Sequence, residues 1–161
     1  RTFTIKATKA ELRKALSFQG SENGVKYSYY EGLFSWVSDV LKTKPLKSGV
    51  MSVPSITEAQ REDHFGYIFE GLVSVPEDGV YEFMTKSDDG SVLYIGDDLI
   101  VNNDGSHAAI VATGRVALHK GLHQYKIIYF EDYEGEHFSW GWKIPSSKDF
   151  TEISAKSLFI K

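Results

Sequence analysis

No stretch limits the fold of this chain as much as Phe65-Gly66-Tyr67-Ile68-Phe69-Glu70-Gly71-Leu72-Val73-Ser74-Val75, an apolar run with an internal alternation. Its odd positions Phe65, Tyr67, Phe69, Val73 and Val75 line one face, while Ile68 and Leu72 make the other face partly apolar. That is the pattern of a strand in the middle of a packed sheet. Pro76-Glu77-Asp78-Gly79 supplies a turn with the expected residue types and leads into Val80 to Thr85, so the two runs read as a hairpin. Leu93 to Ile95, a turn at Gly96-Asp97-Asp98 and Leu99 to Val101 make a second hairpin. Val116 and Leu118, a turn at Lys120-Gly121 and the run Leu122 to Phe130 follow, with His123, Tyr125, Ile127 and Tyr129 alternating against Gln124, Lys126 and Ile128. Phe138, Trp140 and Trp142 alternate up to Pro145, and Ser157-Leu158-Phe159-Ile160 reads as a last short strand. Many short strands with turn signals at short intervals predict an all-β antiparallel sandwich or barrel with one or two short helices.

The first part of the chain is less regular. Phe3, Ile5 and Ala7 alternate over residues 2–7 as a short strand, Thr8 to Glu11 has capping-box spacing, and Ala10, Leu12, Lys14 and Ala15 suit a short helix. The polar stretch Gln19 to Gly24 reads as a linker. Residues 1–24 are therefore expected to form a junction and residues 25–161 the domain proper. Within that domain Tyr27 to Gly32 reads as a strand and Leu33 to Val40 as its continuation, followed by a polar connection containing Pro45. Ser55 to Arg61 carries capping-box spacing and predicts one helical turn. No internal repeat, heptad or low-complexity run is present.

At 161 residues the chain suits one compact domain, and 42% hydrophobic with 14% aromatic content predicts that it folds. A formal charge of -4 with dispersed lysines and arginines argues against a nucleic-acid partner. No apolar run is long enough for a membrane-spanning helix, and Arg1-Thr2-Phe3-Thr4-Ile5 lacks the sections of a signal peptide. A start on Arg instead of Met leads us to expect a piece of a longer protein. The absence of cysteine removes disulfides, thiolate metal sites and cysteine nucleophiles together.

Chemistry concentrates in Ser87-Asp88-Asp89-Gly90-Ser91, between two strand-like runs, and in Asn102-Asn103-Asp104-Gly105, one short hairpin later. Two acidic loops at one end of a sheet would suit a hard cation or sugar hydroxyls. A lone Asp-Asp-Gly is equally a solvated turn, because Asp caps its own backbone and Gly supplies a positive φ. Asp97 and Asp98, at the tip of a tight hairpin, read as that ordinary case. Trp36, beside Phe34, Val37 and Val40, reads as core first and as a sugar platform second. The histidines His64, His107, His119, His123 and His137 show no HExxH-type spacing, and neither Ser87 nor Ser91 sits in a nucleophile elbow.

Several ordered motifs together resemble the protective-antigen-type, or PA-fourteen, domain family. They are Phe65-Gly66-Tyr67-Ile68-Phe69-Glu70-Gly71, Gly79-Val80-Tyr81-Glu82-Phe83, Ser87-Asp88-Asp89-Gly90-Ser91, Leu93-Tyr94-Ile95, Asn103-Asp104-Gly105, Leu118-His119-Lys120-Gly121-Leu122-His123 and Tyr129-Phe130-Glu131. The resemblance spans about Val25 to Pro145. It implies a β-sandwich of the kind appended to bacterial glycosidases, adhesins and toxins. In sugar-binding members two adjacent aspartates joined by a cis peptide hold calcium, and the calcium takes sugar hydroxyls; the matching residues here are Asp88 and Asp89. Those members complete the site with an asparagine from a later loop. The corresponding stretch, Glu131-Asp132-Tyr133-Glu134-Gly135-Glu136-His137, has none, so Asp132 and Glu134 are the substitute oxygen ligands expected for Ca2+. The lead-in Asp63-His64-Phe65-Gly66 with Glu70-Gly71 is similar to domains at the ends of bacterial hexosaminidases, implying a secreted, periplasmic or cell-surface parent.

The expected function is thus a non-catalytic carbohydrate-binding module of a glycoside hydrolase, with Asp88, Asp89, Asp104, Tyr133 and Trp36 on the glycan and Asp88, Asp89, Asp132 and Glu134 on calcium. The expected partners are a glycan and the catalytic domain of the parent. The alternative is a structural module that docks on that catalytic domain and shapes access to its active site without binding glycan.

Overall fold

A computed structural model describes residues 11–17 and 22–161. The chain runs β1 (Val25–Glu31), α1 (Val37–Leu41), β2 (Lys47–Met51), β3 (Phe65–Val75), β4 (Gly79–Asp88), β5 (Gly90–Ile95), β6 (Asp98–Asn103), β7 (Ile110–Leu118), β8 (Gly121–Glu131), β9 (His137–Lys143), β10 (Thr151–Glu152) and β11 (Leu158–Phe159). The strands form two antiparallel sheets, one ordered β2-β1-β3-β8-β5-β6 with β11 also on β3, the other ordered β10-β9-β4-β7. The result is the all-β sandwich that the strand pattern predicts.

β3 is central because it can be buried on both faces. Phe65, Tyr67, Phe69, Val73 and Val75 enter the core between the sheets, where they meet Tyr81, Phe83, Trp140 and Trp142 from the smaller sheet. Ile68 points the other way, into a second cluster with Tyr30, Phe34, Val37, Val40, Val92, Ile128 and Phe130. Helix α1 thus covers part of the outer face of the larger sheet. The register of β3 with β8 pairs Phe65 with Glu131 and Val75 with Gly121, so the end of β8 reaches the same edge of the sandwich as the β4–β5 junction.

Several local expectations are corrected. The two strands expected to form a hairpin around Pro76-Glu77-Asp78-Gly79 belong to different sheets, β3 to the larger and β4 to the smaller, so that turn carries the chain from one layer to the other. Leu33 to Val40 does not continue the first strand. The chain turns into α1 because the Asp39 carboxylate accepts from the N–H groups of Ser35 at 2.9 Å and Trp36 at 3.0 Å, while Asp104 accepts from Val37 N–H at 2.9 Å. Free N–H groups at a helix start need such acceptors, and one of these comes from a distant loop. The connection after Pro45 contains the edge strand β2, paired on β1. Residues 55–61 make a turn closed by Ala59 N–H to Ile56 C=O in place of a helical turn, with Ser55 Oγ accepting from Thr57 N–H. The strand expected at Val116–Leu118 begins already at Ile110. Residues 11–17, where a helix was expected, instead run extended along the β7–β8 turn, with single bridges from Arg13 to Leu118 and from Leu16 to Leu122. The strand expected at 2–7, most of the Thr8 to Glu11 capping box and much of the Gln19 to Gly24 linker lie outside the described residues.

Candidate cation and ligand site

The site forms where β4 ends and β5 begins. The Asp88-Asp89 peptide is cis. Gly90, which follows, has no room for a side chain, since a Cβ would lie 2.4 Å from the Phe130 ring and 2.8 Å from the Gly105 carbonyl. That close approach brings the loop after β6 directly against the aspartate pair.

Asp89 is 4% exposed and has both carboxylate oxygens engaged. Oδ1 accepts from Asp132 N–H at 2.7 Å and Oδ2 from His107 N–H at 3.0 Å, so one side chain holds both flanking loops. Asp88 is different. Its backbone carbonyl accepts from the Tyr129 hydroxyl, but its buried Oδ1 has no hydrogen-bond partner among the described residues. Burial, then the charge of Asp89, raises the Asp88 carboxyl above its ordinary range, with His107 and His137 acting in the opposite sense.

The third acid is Glu131, fully buried at the end of β8, with neither carboxyl oxygen receiving a hydrogen bond from the described residues. Burial, then the neighbouring carboxyls of Asp89 and Asp63, pushes it up to about 10. Those neighbours are acceptors themselves and become partners of Glu131 only by sharing a proton it holds. One carboxylate oxygen from each of Asp88, Asp89 and Glu131 lies within 4.8 Å of the other two. An all-oxygen set at this spacing, with Asp88 Oδ1 and both Glu131 oxygens unpaired among the described residues, fits a hard divalent cation such as Ca2+, which takes carboxylate and carbonyl oxygens.

Behind the aspartates lies a buried polar cluster. Ser91 Oγ is 2.7 Å from Ser87 Oγ and donates to Thr85 Oγ1 at 3.0 Å, and Asn103 Nδ2 donates to the Ile110 carbonyl at 2.9 Å. It ties the ends of β4, β5 and β6 to the start of β7.

The other sequence-predicted residues occupy distinct places. Asp104 Oδ1 accepts from Val37 N–H at 2.9 Å and Gly105 N–H at 2.8 Å, pinning α1 to this loop. Trp36, the residue before α1, is 57% exposed, and its ring lies 3.4 Å from where a Cβ on Gly105 would be. It is a surface ring beside the site and not part of the core. Tyr133 is 64% exposed in the loop after β8. Asp132 directs Oδ2 to Ser106 Oγ at 2.7 Å, with Oδ1 3.9 Å from His64 Nδ1. Glu134 has an exposed side chain at a positive φ of 57°, and its N–H donates to Asp63 Oδ1 at 3.2 Å. Asp132 and Glu134 therefore sit in the right loop, while the carboxyl that joins the aspartate pair is that of Glu131. Sequence reasoning missed Glu131, although the inward phase His123, Tyr125, Ile127, Tyr129 continues onto it.

No curated protein sequence matches this chain. Among solved structures, the chain is similar to the PA14 domain of the MpAFP antifreeze protein, at 16% identity and a TM-score of 0.71 over 89% of this chain and 94% of that one. It is similar to a PA14 sugar-binding domain from an RTX adhesin, at 13% identity and a TM-score of 0.71 over 88% of this chain and 100% of that one. It is also similar to the Epithelial Adhesin 9 A domain from Candida glabrata in complex with Galb1-3GlcNAc, at 12% identity and a TM-score of 0.65 over 88% and 94% of the two chains. These likenesses are of fold. The PA14 domain family model matches residues 21–155, most of the chain, and this protein therefore belongs to the PA14 domain family.

Proposed function

We propose that the chain is a non-catalytic carbohydrate-binding module whose site is built on Asp88, Asp89 and Glu131 and holds calcium. The observation that carries the reading is the trio of carboxyls whose oxygens converge within 4.8 Å while Asp88 Oδ1 and both Glu131 oxygens lack a donor among the described residues. Unpaired buried acids are costly, and a bound cation offsets that cost. When bound, calcium supplies coordination positions for vicinal sugar hydroxyls. Trp36 and Tyr133, both exposed, are the rings we assign to the apolar face of a sugar. Asp104 supports the rim by fixing α1, and with it Trp36, against the loop after β6. Structural relatives described as sugar-binding or as bound to Galb1-3GlcNAc support the same class of ligand.

We further propose a parent glycoside hydrolase outside the cytoplasm, at the cell surface, in the periplasm or secreted, with this module holding the catalytic domain near its polymeric substrate. Affinity of one module is expected to be weak, and tethering raises the effective concentration. The test is a glycan array probed in calcium and again in EDTA, with Asp88→Ala alongside. Hits that vanish with EDTA and with the variant are expected. A blank array from folded protein would overturn the reading in favour of a module that only docks on its catalytic domain.

A further inference from the structure

The three carboxyls that converge at the β4–β5 junction are not equivalent. Glu131 has both oxygens buried and without a donor among the described residues. Asp89 has both oxygens engaged, Oδ1 by Asp132 N–H at 2.7 Å and Oδ2 by His107 N–H at 3.0 Å. Asp88 has one buried oxygen without a donor, Oδ1, while its Oδ2 lies under Gly135, where a Cβ would be 2.9 Å away. Of the three, Glu131 is thus the carboxyl able to present both oxygens inward.

That difference bears on the choice between the two common hard cations. Calcium takes about six to eight oxygens in flexible geometry and accepts both oxygens of one carboxylate, whereas magnesium demands a near-ideal octahedron and gives up its waters reluctantly. A carboxylate with two free oxygens suits the first ion better than the second. The backbone that carries Glu131 is also fixed. Glu131 ends β8 opposite Phe65, and the preceding Phe130 is paired with Gly66 on one side and Gly90 on the other. The strand cannot advance toward the aspartates, so the carboxyl reaches them only through the length of a glutamate side chain.

We infer that Glu131 is the residue that makes this site select calcium over magnesium, because it alone of the three offers two free oxygens to one ion. This rests on the reading above that the trio holds calcium. Aspartate at the same position is the informative change. It keeps the charge and both oxygens but withdraws them by about 1.5 Å, one carbon–carbon bond. A change confined to the calcium-to-magnesium ratio then separates selection from general damage to the site.

The experiment is isothermal titration of the full chain, stripped of cations with EDTA and dialysed, with calcium chloride and separately with magnesium chloride. Wild type is expected to bind calcium at least about a hundredfold more tightly than magnesium. In Glu131→Asp, calcium affinity should fall at least about tenfold while magnesium affinity changes by less than about threefold. Asp88→Asn should weaken both cations alike and leave the ratio unchanged. Glu131→Gln keeps the length of the side chain with a single carbonyl oxygen, should narrow the ratio as the aspartate does, and decides the matter if that variant does not fold. Similar wild-type affinity for the two cations, a wild-type ratio in the Glu131 variants, or an equal narrowing in Asp88→Asn overturns this inference and leaves the cation site standing. Binding of neither cation by folded wild type overturns the inference and the calcium reading together.

Discussion

The backbone N–H of Asp132 donates to Asp89 Oδ1 at 2.7 Å, so the junction between β4 and β5 and the loop after β8 are held as one unit across 43 residues of sequence. His107 N–H on the second oxygen adds the loop after β6. Asp89 is in this sense a structural clamp, whereas Asp88 presents a buried oxygen that no described residue donates to.

That difference separates two alanine variants. In EDTA, Asp89→Ala strands two part-buried N–H donors and is expected to cost about 2 kcal/mol, while Asp88→Ala removes an unpartnered oxygen and should cost less than about 1 kcal/mol. Urea midpoints at constant slope measure both. Equal losses would mean that Asp88 has a structural role its contacts do not show.

Calcium should stabilise the fold. At one hundred times its dissociation constant a ligand adds about 2.7 kcal/mol, and that increment should be absent in Glu131→Gln. In EDTA the same variant should be as stable as the parent chain or more so, since it exchanges a buried, unpaired carboxyl for a neutral amide. Thermal melts with and without calcium give both readings.

Trp36→Ala is expected to change stability by about 1 kcal/mol or less, because the ring is 57% exposed. Its loss should weaken glycan binding about tenfold, the size of one ring-stacking contact. Titration of wild type and variant with an array-identified glycan would check this. An unchanged affinity would remove Trp36 from the ligand surface.

Acid should destabilise the fold through His123. This ring is 2% exposed, with Nε2 2.7 Å from the His119 carbonyl, and burial holds its pKa below the ordinary value. The unfolded chain binds this proton first, near about pH 6.5. The contribution is thus complete above about pH 6.5 and declines as pH falls toward the lowered folded value. Denaturant midpoints compared at about pH 7.5 and 5.5 should fall more for wild type than for His123→Gln.

Gly114→Ala should be among the most damaging single-methyl changes in the chain. A Cβ there would sit 1.7 Å from the Ile100 carbonyl oxygen, where β6 crosses β7 and closes that side of the sandwich. Backbone cannot yield as a side-chain tip can, so a loss of at least about 3 kcal/mol is expected, read as a lowered urea midpoint.

Much of the fold was legible because strand periodicity reports burial directly. The odd positions of β3 were assigned to one face from their alternation alone, and they are the residues that fill the inter-sheet core. Helix α1 was not legible, since its N-terminal N–H groups depend partly on Asp104, 67 residues from Val37. Edge strand β2 was equally hidden, being short and mostly exposed, with little apolar pattern to mark it.

In the site, the sequence by itself determined that acids cluster at Asp88-Asp89 and again at 131–136, and that no thiol or metal-spaced histidine pair competes with them as ligands. Local chemistry suffices for that. Which acid faces the aspartates was decided only by tertiary structure. Asp132 and Glu134, the residues expected from the loop, turn to Ser106 and to solvent, while Glu131 inherits the inward phase of β8 and is carried by its pairing with Phe65 into the interior. A strand register converts one residue of offset into the opposite face of a sheet, and that register is set by packing across the whole sandwich.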